Sequence, residues 1–154
     1  MTAPTPTGGP RRSEAEQAQL DGILFELFEK MIPFNRVIGL TVDSVRQGDV
    51  RTSFAMRDDL VGHAPTGRLH GGVISAVLDA TGGLAVMAGI GEPHAAEPPM
   101  QVLHRFARLG TIDLRVDYLR QGVGQRFVAS AEVMRLGGRV GSTQMRLVND
   151  EGTL

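Results

Sequence analysis

The longest apolar run of the chain extends from Gly71 to Ile90, with Asp79 as its single ionisable side chain. Apolar residues recur within it three and four positions apart, which is the spacing of one face of a helix. A helix of about eighteen residues would be roughly 27 Å long, enough to cross a small domain. Because so few polar residues interrupt the run, we expect the helix to be buried on nearly all sides, with the other elements arranged around it.

A second helical pattern lies near the start of the chain. Ser13 and Glu16 stand three residues apart, as in a capping box, so Ser13 is predicted to begin this helix. Its apolar positions lie on one face, and they are Leu20, Ile23, Leu24, Leu27, Phe28 and Met31. Pro33 is predicted to end the helix, which would then cover one edge of the domain or lie along a partner subunit.

Alternating apolar and polar positions predict five strands, bounded by turn residues such as Gln47-Gly48-Asp49 and Gly137-Gly138. The predicted strands are Ile38–Val45, Val50–Met56, Thr111–Leu119, Phe127–Met134 and Val140–Val148. Residues 57–68 form a lead-in loop, and residues 91–108 form a long connection without periodicity, of the kind that is usually functional or mobile. Two strands, a buried helix and three further strands predict an α+β fold, in which a curved antiparallel sheet wraps around one central helix.

Composition restricts the classes of function. The chain of 154 residues is predicted to form a single domain over residues 13–154, after a disordered Pro/Thr/Gly-rich tail at 1–12. A formal net charge of −1 gives no basic surface for nucleic acid or for an acidic membrane. There is no cysteine, and the four histidines lack a metal-ligand spacing, so a metal site is not expected. Without a visible signal peptide or anchor, the sequence predicts a cytoplasmic protein.

The start of the central helix is a candidate site. Gly71 and Gly72 carry no side chain, so a ligand can approach the backbone N–H groups at the positive end of the helix dipole. Such groups suit a carboxylate, a thioester oxygen or a developing oxyanion. Asp79 lies on the small-sided stripe of the same helix, where an acid can serve chemistry. A glycine pair at a helix start and a lone buried Asp are also common structural features, so both interpretations stay open.

The residues that flank this helix carry a family resemblance. Leu69-His70-Gly71-Gly72 followed by Leu78-Asp79 resembles the signature of hotdog-fold acyl-CoA thioesterases of the phenylacetate-pathway type. The similarity covers roughly residues 33–154, including Ile38-Gly39-Leu40, Leu60-Val61-Gly62 and the stretch from Thr111 to Arg120. It implies a hotdog fold and the hydrolysis of an acyl-CoA, without any added cofactor, to a free acid and CoA.

The resemblance also implies roles for individual residues. Asp79 would activate water or attack the thioester carbonyl directly, and the backbone N–H of Gly72 would polarise that carbonyl. Thr111 matches a Ser or Thr that relatives carry at the start of the strand after the helix. His70 either fixes the turn, which we favour, or acts as a base. His63 stands near the place of an Asn in the lead-in loop of relatives, which leaves the contact made there open.

The CoA moiety would meet a second set of residues. The turn formed by Arg135, Gly137, Gly138 and Arg139 resembles the hairpin that contacts the nucleotide in relatives, although an ordinary solvated turn is the alternative. Tyr118 would lie beside the pantetheine path, and Gly71 would border the bound substrate.

The resemblance implies a homo-oligomer, a dimer or more specifically a dimer of dimers, with the active site shared between two chains. The alternatives on the same fold are a hydratase or dehydratase and a non-catalytic acyl-CoA-binding module. In relatives a further strand follows the position of Gly152 and lies inside the sheet, whereas this sequence stops at Leu154. Either the sequence is part of a longer chain or the sheet closes differently.

Overall fold

The computed structural model of the protein describes residues 11–153. Within that range four α-helices and six β-strands follow one another. They are α1 (Glu14–Glu26), α2 (Pro33–Ile38), β1 (Thr41–Arg46), β2 (Asp49–Ala55), β3 (Val61–His63), β4 (Arg68–Leu69), α3 (Gly71–Gly91), α4 (Pro99–Phe106), β5 (Arg126–Leu136) and β6 (Gly141–Asn149). The predicted α+β hotdog fold is confirmed, and the extra N-terminal helix is present.

One antiparallel sheet carries the central helix. Its strands are in the order β1-β2-β5-β6, and α3 contacts all four of them. β3 and β4 form a separate two-stranded ribbon that leads the chain into α3. The close approach of helix and sheet depends on small residues, because a Cβ added at Gly82 would lie 2.6 Å from the Sδ of Met145 on β6.

The core divides into two clusters along α3. Around the first half of the helix, Phe54 of β2 stacks on Phe127 of β5 at 5.3 Å between ring centroids, and Val77 and Leu78 pack onto them. Around the second half, α1 and α4 close over Leu84. Each helix therefore buries one apolar face against the sheet or against α3, which is how a domain of this size excludes water.

The central helix is less enclosed than its sequence suggested. Eight of its 21 residues are buried, and the face that carries Ser75, Asp79 and Gly83 stays partly open. By length and composition α3 would also suffice to cross a membrane. Its packing against four strands is that of the core helix of a domain.

The prediction of a strand over Thr111–Leu119 is wrong for the structure as described. This segment forms no ladder with another strand, and a groove of about 580 Å³ separates it from β6, the edge strand of the sheet. The apolar alternation is real, since Val116 packs on the core, but a strand requires a hydrogen-bonded neighbour as well as a suitable sequence.

Two helices replace predicted loop and strand positions. The first helix continues through a π-helical turn at Leu27–Met31 and stops just before Pro33, as predicted, and Pro33 then begins α2. Ile38 therefore belongs to α2, and β1 starts only at Thr41, after Gly39 reverses the chain at a φ of +75°. Proline at the first turn of a helix is favourable because its missing N–H has no partner there in any case. The same signal at Pro99 marks α4, inside the connection that was predicted to be irregular.

The N-terminal capping box is confirmed, since the Ser13 side chain accepts the Glu16 N–H and the Glu16 side chain accepts the Ser13 N–H. Of the tail predicted to be disordered, residues 1–10 lie outside the described residues. Arg12, at its end, donates to the carbonyl oxygens of Gly91 at 3.0 Å and of His94 at 2.7 Å. A cation at this position complements the negative end of the α3 dipole.

Candidate active site

The first turn of α3 is shaped by a histidine cap. His70 is the N-cap residue, in an extended conformation, and its Nδ1 accepts the N–H of Gly72 at 2.8 Å. The lead-in loop lies directly against it, since a Cβ added at Gly62 would stand 2.6 Å from the His70 Cα. His70 thus has the turn-fixing position that we favoured, with Nδ1 in its acceptor form.

The two glycine N–H groups are not equivalent. The N–H of Gly72, the oxyanion donor that the family resemblance implies, donates to His70 Nδ1 in this structure. The N–H of Gly71 has no acceptor among residues 11–153. It is the first N–H of the helix, where no intrahelical partner exists, so the helix dipole and an available donor coincide at Gly71.

Asp79 lies two turns further along α3, partly exposed on the open face of the helix. The hydroxyl of Thr111 donates to its Oδ1 at 2.6 Å. Its Oδ2 has no hydrogen-bond partner within the described part of the chain, which leaves one carboxylate oxygen available to water or to a carbonyl carbon. The structure therefore pairs an acid on the helix with a hydroxyl that follows it in the sequence.

Gly71, Ser75 and Asp79 follow one another at intervals of four residues, so they share one face of α3. Eight residues of α-helix separate Gly71 from Asp79 by roughly 12 Å along the axis. One thioester group cannot contact both the N–H of Gly71 and the carboxylate of Asp79 in a single chain. The donor and the acid are therefore on one face without forming one site.

Tyr118 contacts the start of α3, whereas the family resemblance implies a position beside the pantetheine path. Its hydroxyl donates to the carbonyl oxygen of Gly71 at 3.0 Å and lies 2.5 Å from the Oγ of Ser75. Its ring also covers Gly71, where an added Cβ would stand 3.3 Å from the Tyr118 Cε1. Ser75, which sequence reasoning would set aside as a packing residue, was missed. Ser75 lies four residues from both Gly71 and Asp79, and this spacing could have placed it on the same face of α3.

The remaining predicted residues lie outside this face. His63 is exposed in the lead-in loop, where its Nδ1 meets the Thr66 hydroxyl at 2.8 Å. Arg135, at the end of β5, and Gly137, Gly138 and Arg139, in the turn that follows it, are exposed. They lie near the C-terminal end of α3, where Leu136 stands beside Gly89. Neither arginine forms a salt bridge with a described residue.

Among residues 11–153 no three His, Asp or Glu side chains lie close enough together to hold a metal ion. The chemistry that this face offers is consequently that of a carboxylate, hydroxyl groups and backbone N–H donors.

Comparisons with known proteins agree with this geometry. The chain is 36% identical over 137 residues to the medium/long-chain acyl-CoA thioesterase YigI of Escherichia coli K12, covering 89% of this chain and 87% of that protein. A crystal structure from Shewanella oneidensis, described as related to the thioesterase superfamily, superposes with a TM-score of 0.83 at 35% identity, covering 92% of each chain. A mutant of the phenylacetic acid degradation protein PaaI from Thermus thermophilus shares the fold, with a TM-score of 0.61 at 24% identity over 79% of this chain and 90% of that one. The sequence model of the thioesterase superfamily matches residues 66–154, which include the whole face from Gly71 to Asp79 and both of its neighbours Thr111 and Tyr118. The chain belongs to the thioesterase superfamily.

Proposed function

We propose that this protein hydrolyses acyl-CoA thioesters to the free acid and CoA, with Asp79 as its acid-base or nucleophilic group. The observation that carries the proposal is the Asp79 carboxylate on the open face of α3, oriented by the 2.6 Å hydrogen bond from Thr111. Support also comes from the relative YigI, which is named a medium/long-chain acyl-CoA thioesterase.

Two routes use the same carboxylate. As a general base, Asp79 takes a proton from water while the water oxygen attacks the thioester carbon. As a nucleophile, its available Oδ2 attacks that carbon and forms an anhydride, which water then hydrolyses. In both routes the C–S bond breaks, and the CoA thiolate takes up a proton. Thr111 holds Oδ1 in either case, so the reacting oxygen is presented in one orientation.

The carbonyl oxygen becomes negative during attack and requires a donor. We assign that contact to the start of α3, and specifically to the Gly71 N–H, because the Gly72 N–H donates to His70. A backbone N–H at a helix N-terminus meets the oxyanion without having to reorganise, and this makes such donors effective. His70 supports this arrangement by holding the turn.

The roughly 12 Å between Gly71 and Asp79 implies that two chains complete each site. If the α3 helix of a second copy runs antiparallel beside the first and the two cross at Ser75, each Gly71 faces the other chain's Asp79. The face is open at Gly83, where an added Cβ would meet nothing within 4 Å, whereas Tyr118 lies over Gly71 and Ser75 and would line the crossing. One dimer would then hold two equivalent sites. The association of two such dimers rests on the family resemblance alone.

The position of the β5–β6 turn supports a role in binding CoA. Leu136 stands beside Gly89, which is ten helical residues from Asp79, or about 15 Å. A thioester at Asp79 could therefore extend its CoA portion along α3 toward Arg135 and Arg139. Guanidinium groups bind phosphate through charge-assisted hydrogen bonds, and neither of these is engaged by a described carboxylate. His63, exposed in the lead-in loop, is the weakest of the proposed substrate contacts.

The test is the release of free thiol from a panel of saturated, branched and aromatic acyl-CoAs, with Asp79→Asn as the control. Thiol release that depends on Asp79 supports the proposal. Addition of water to an enoyl-CoA without thiol release would instead identify a hydratase. Tight binding of acyl-CoA without turnover would identify a binding module, and either of these results overturns the proposal.

A further inference from the structure

The peptide bond between Gly71 and Gly72 is held at both ends. Its N–H, on the Gly72 side, donates to His70 Nδ1 at 2.8 Å. Its carbonyl oxygen, on the Gly71 side, lies 3.0 Å from the Tyr118 hydroxyl and 3.2 Å from the Oγ of Ser75. A peptide between two glycines has more conformational freedom than any other, so contacts at both ends restrict it strongly.

Proton counting shows that the two hydroxyl groups act as a unit. Tyr118 and Ser75 carry one hydroxyl proton each, whereas three short contacts join them to one another and to the Gly71 oxygen. If both donated to that oxygen, no proton would lie between two hydroxyl oxygens 2.5 Å apart. One hydroxyl therefore donates to the carbonyl while the other donates to the first hydroxyl. Removing either one deletes the hydrogen bond between the two hydroxyls and leaves a single hydroxyl within reach of the carbonyl.

Packing of the Tyr118 ring adds a second restraint. An added Cβ at Gly71 would lie 3.3 Å from the ring, so the aromatic face covers this residue directly. Tyr118 itself is 55% exposed, so the burial of the ring cannot account for its position. Its polar contacts within the described chain are the Gly71 carbonyl and the Ser75 hydroxyl.

We infer that Tyr118 is a positioning residue, which acts with Ser75 to hold Gly71 at the helix start and thereby to aim the N–H of Gly71 at the substrate carbonyl. This inference rests on the proposed thioesterase function and differs from the role beside the pantetheine path that the family resemblance implied. A positioning role predicts an effect on turnover, because a misdirected donor weakens an interaction that matters most in the transition state.

The deciding variant is Tyr118→Phe, which keeps the ring on Gly71 and removes the hydroxyl. We expect kcat to fall about fivefold to tenfold, the effect of one lost hydrogen bond, while KM changes by less than about twofold. Ser75→Ala should also lower kcat, and the double variant should fall below either single variant, since each single variant keeps one hydroxyl within reach of the Gly71 carbonyl. Ser75→Thr, which keeps a hydroxyl, should retain activity, as should Ser130→Ala on β5, a serine remote from the helix start.

A second measurement does not require turnover. Amide hydrogen exchange at Gly72 should become about fivefold faster in Tyr118→Phe than in the unaltered protein, because the peptide oxygen loses one of its two hydroxyl contacts. An unchanged kcat, or a raised KM with unchanged kcat, would overturn the inference, the latter in favour of a substrate contact. If the unaltered protein hydrolyses no acyl-CoA, the proposed function fails. The exchange rate at Gly72 then decides by itself whether Tyr118 holds the peptide. An equal rate in Tyr118→Phe and in the unaltered protein would reject the inference.

Discussion

Thr111 donates a hydrogen bond of 2.6 Å to Asp79, although 32 positions separate the two residues in the sequence. The contact joins the segment after α4 to the middle of α3, on the face of the helix that the sheet leaves open. A short bond from a hydroxyl to a carboxylate fixes the orientation of that carboxylate.

Asp79→Asn should lower kcat about 100-fold or more while the fold and CoA binding persist, because the amide keeps the size of the carboxylate but can act neither as base nor as nucleophile. Steady-state thiol release and CoA titration measure the two effects separately. Asp113→Asn, an exposed carboxylate on the same segment as Thr111, is the matched control and should be active. A kcat above about a tenth of the original value would exclude Asp79 as the reacting group.

Thr111→Val should lower kcat about fivefold to tenfold, since the valine is nearly isosteric and deletes only the bond to Asp79. Thr111→Ser retains the hydroxyl and should preserve most of the activity. Equal activities of the valine and serine variants would show that Thr111 does not orient the acid.

Arg135→Ala combined with Arg139→Ala should raise KM for acyl-CoA about tenfold with a smaller change in kcat, because phosphate contacts bind the substrate and the transition state alike. The difference should shrink as salt screens the charges. Removal of two other exposed arginines, Arg36→Ala with Arg46→Ala, changes the net charge equally and should leave KM unaltered. If the double variant has the same KM as the unaltered protein at low salt, the two arginines do not bind CoA and the β5–β6 turn is an ordinary solvated turn.

Mixed dimers test the shared site. Asp79→Asn and Gly71→Pro chains should each be inactive alone, and hybrids formed by subunit exchange should regain up to about half of the activity of a normal dimer. Proline suits this position because His70, which precedes it, is extended with a ψ of 130°. Gly71→Ala keeps the N–H and serves as the control for crowding against Tyr118. Hybrids that mass spectrometry detects but that remain inactive would contradict a site built from two chains.

The buried hydroxyl pair between helix and sheet should contribute to stability. Thr52 and Thr81 are fully buried, and their hydroxyl oxygens lie 2.7 Å apart. Thr81→Val should lower the free energy of unfolding by about 1–3 kcal/mol, since the Thr52 hydroxyl is left without a partner. Denaturant unfolding measures the loss, and Thr81→Ser should show less of it. The double variant with Thr52→Val should recover part of the stability, and a double variant that is additively worse would contradict this explanation.

Local signals in the sequence were sufficient for several elements. The glycine pair after His70 and the helical spacing that follows predicted a helix from Gly71 to Ile90, and α3 spans Gly71–Gly91. Ser13 with Glu16 predicted the start of α1. Hydrogen bonds and side-chain spacing within a few residues determine these features, so the sequence contains them. The proline that begins α4 was the same kind of signal but went unused, because its helix is short and lies in a long connection.

The sequence by itself determined the α+β layout, the central helix and the acid on it, because periodicity and capping act between neighbours in the chain. Only the tertiary structure decided which N–H donors remain available at the helix start. The Gly72 N–H is engaged because the ring of His70 is oriented toward it. The tertiary structure also decided that Thr111 donates to Asp79 and that Tyr118 contacts Gly71. Both residues lie in a segment that was predicted to be a strand but that has no ladder partner among residues 11–153. Strand pairing and side-chain contacts over 30 or more positions depend on how distant segments pack, and the pattern of a single segment does not contain that information.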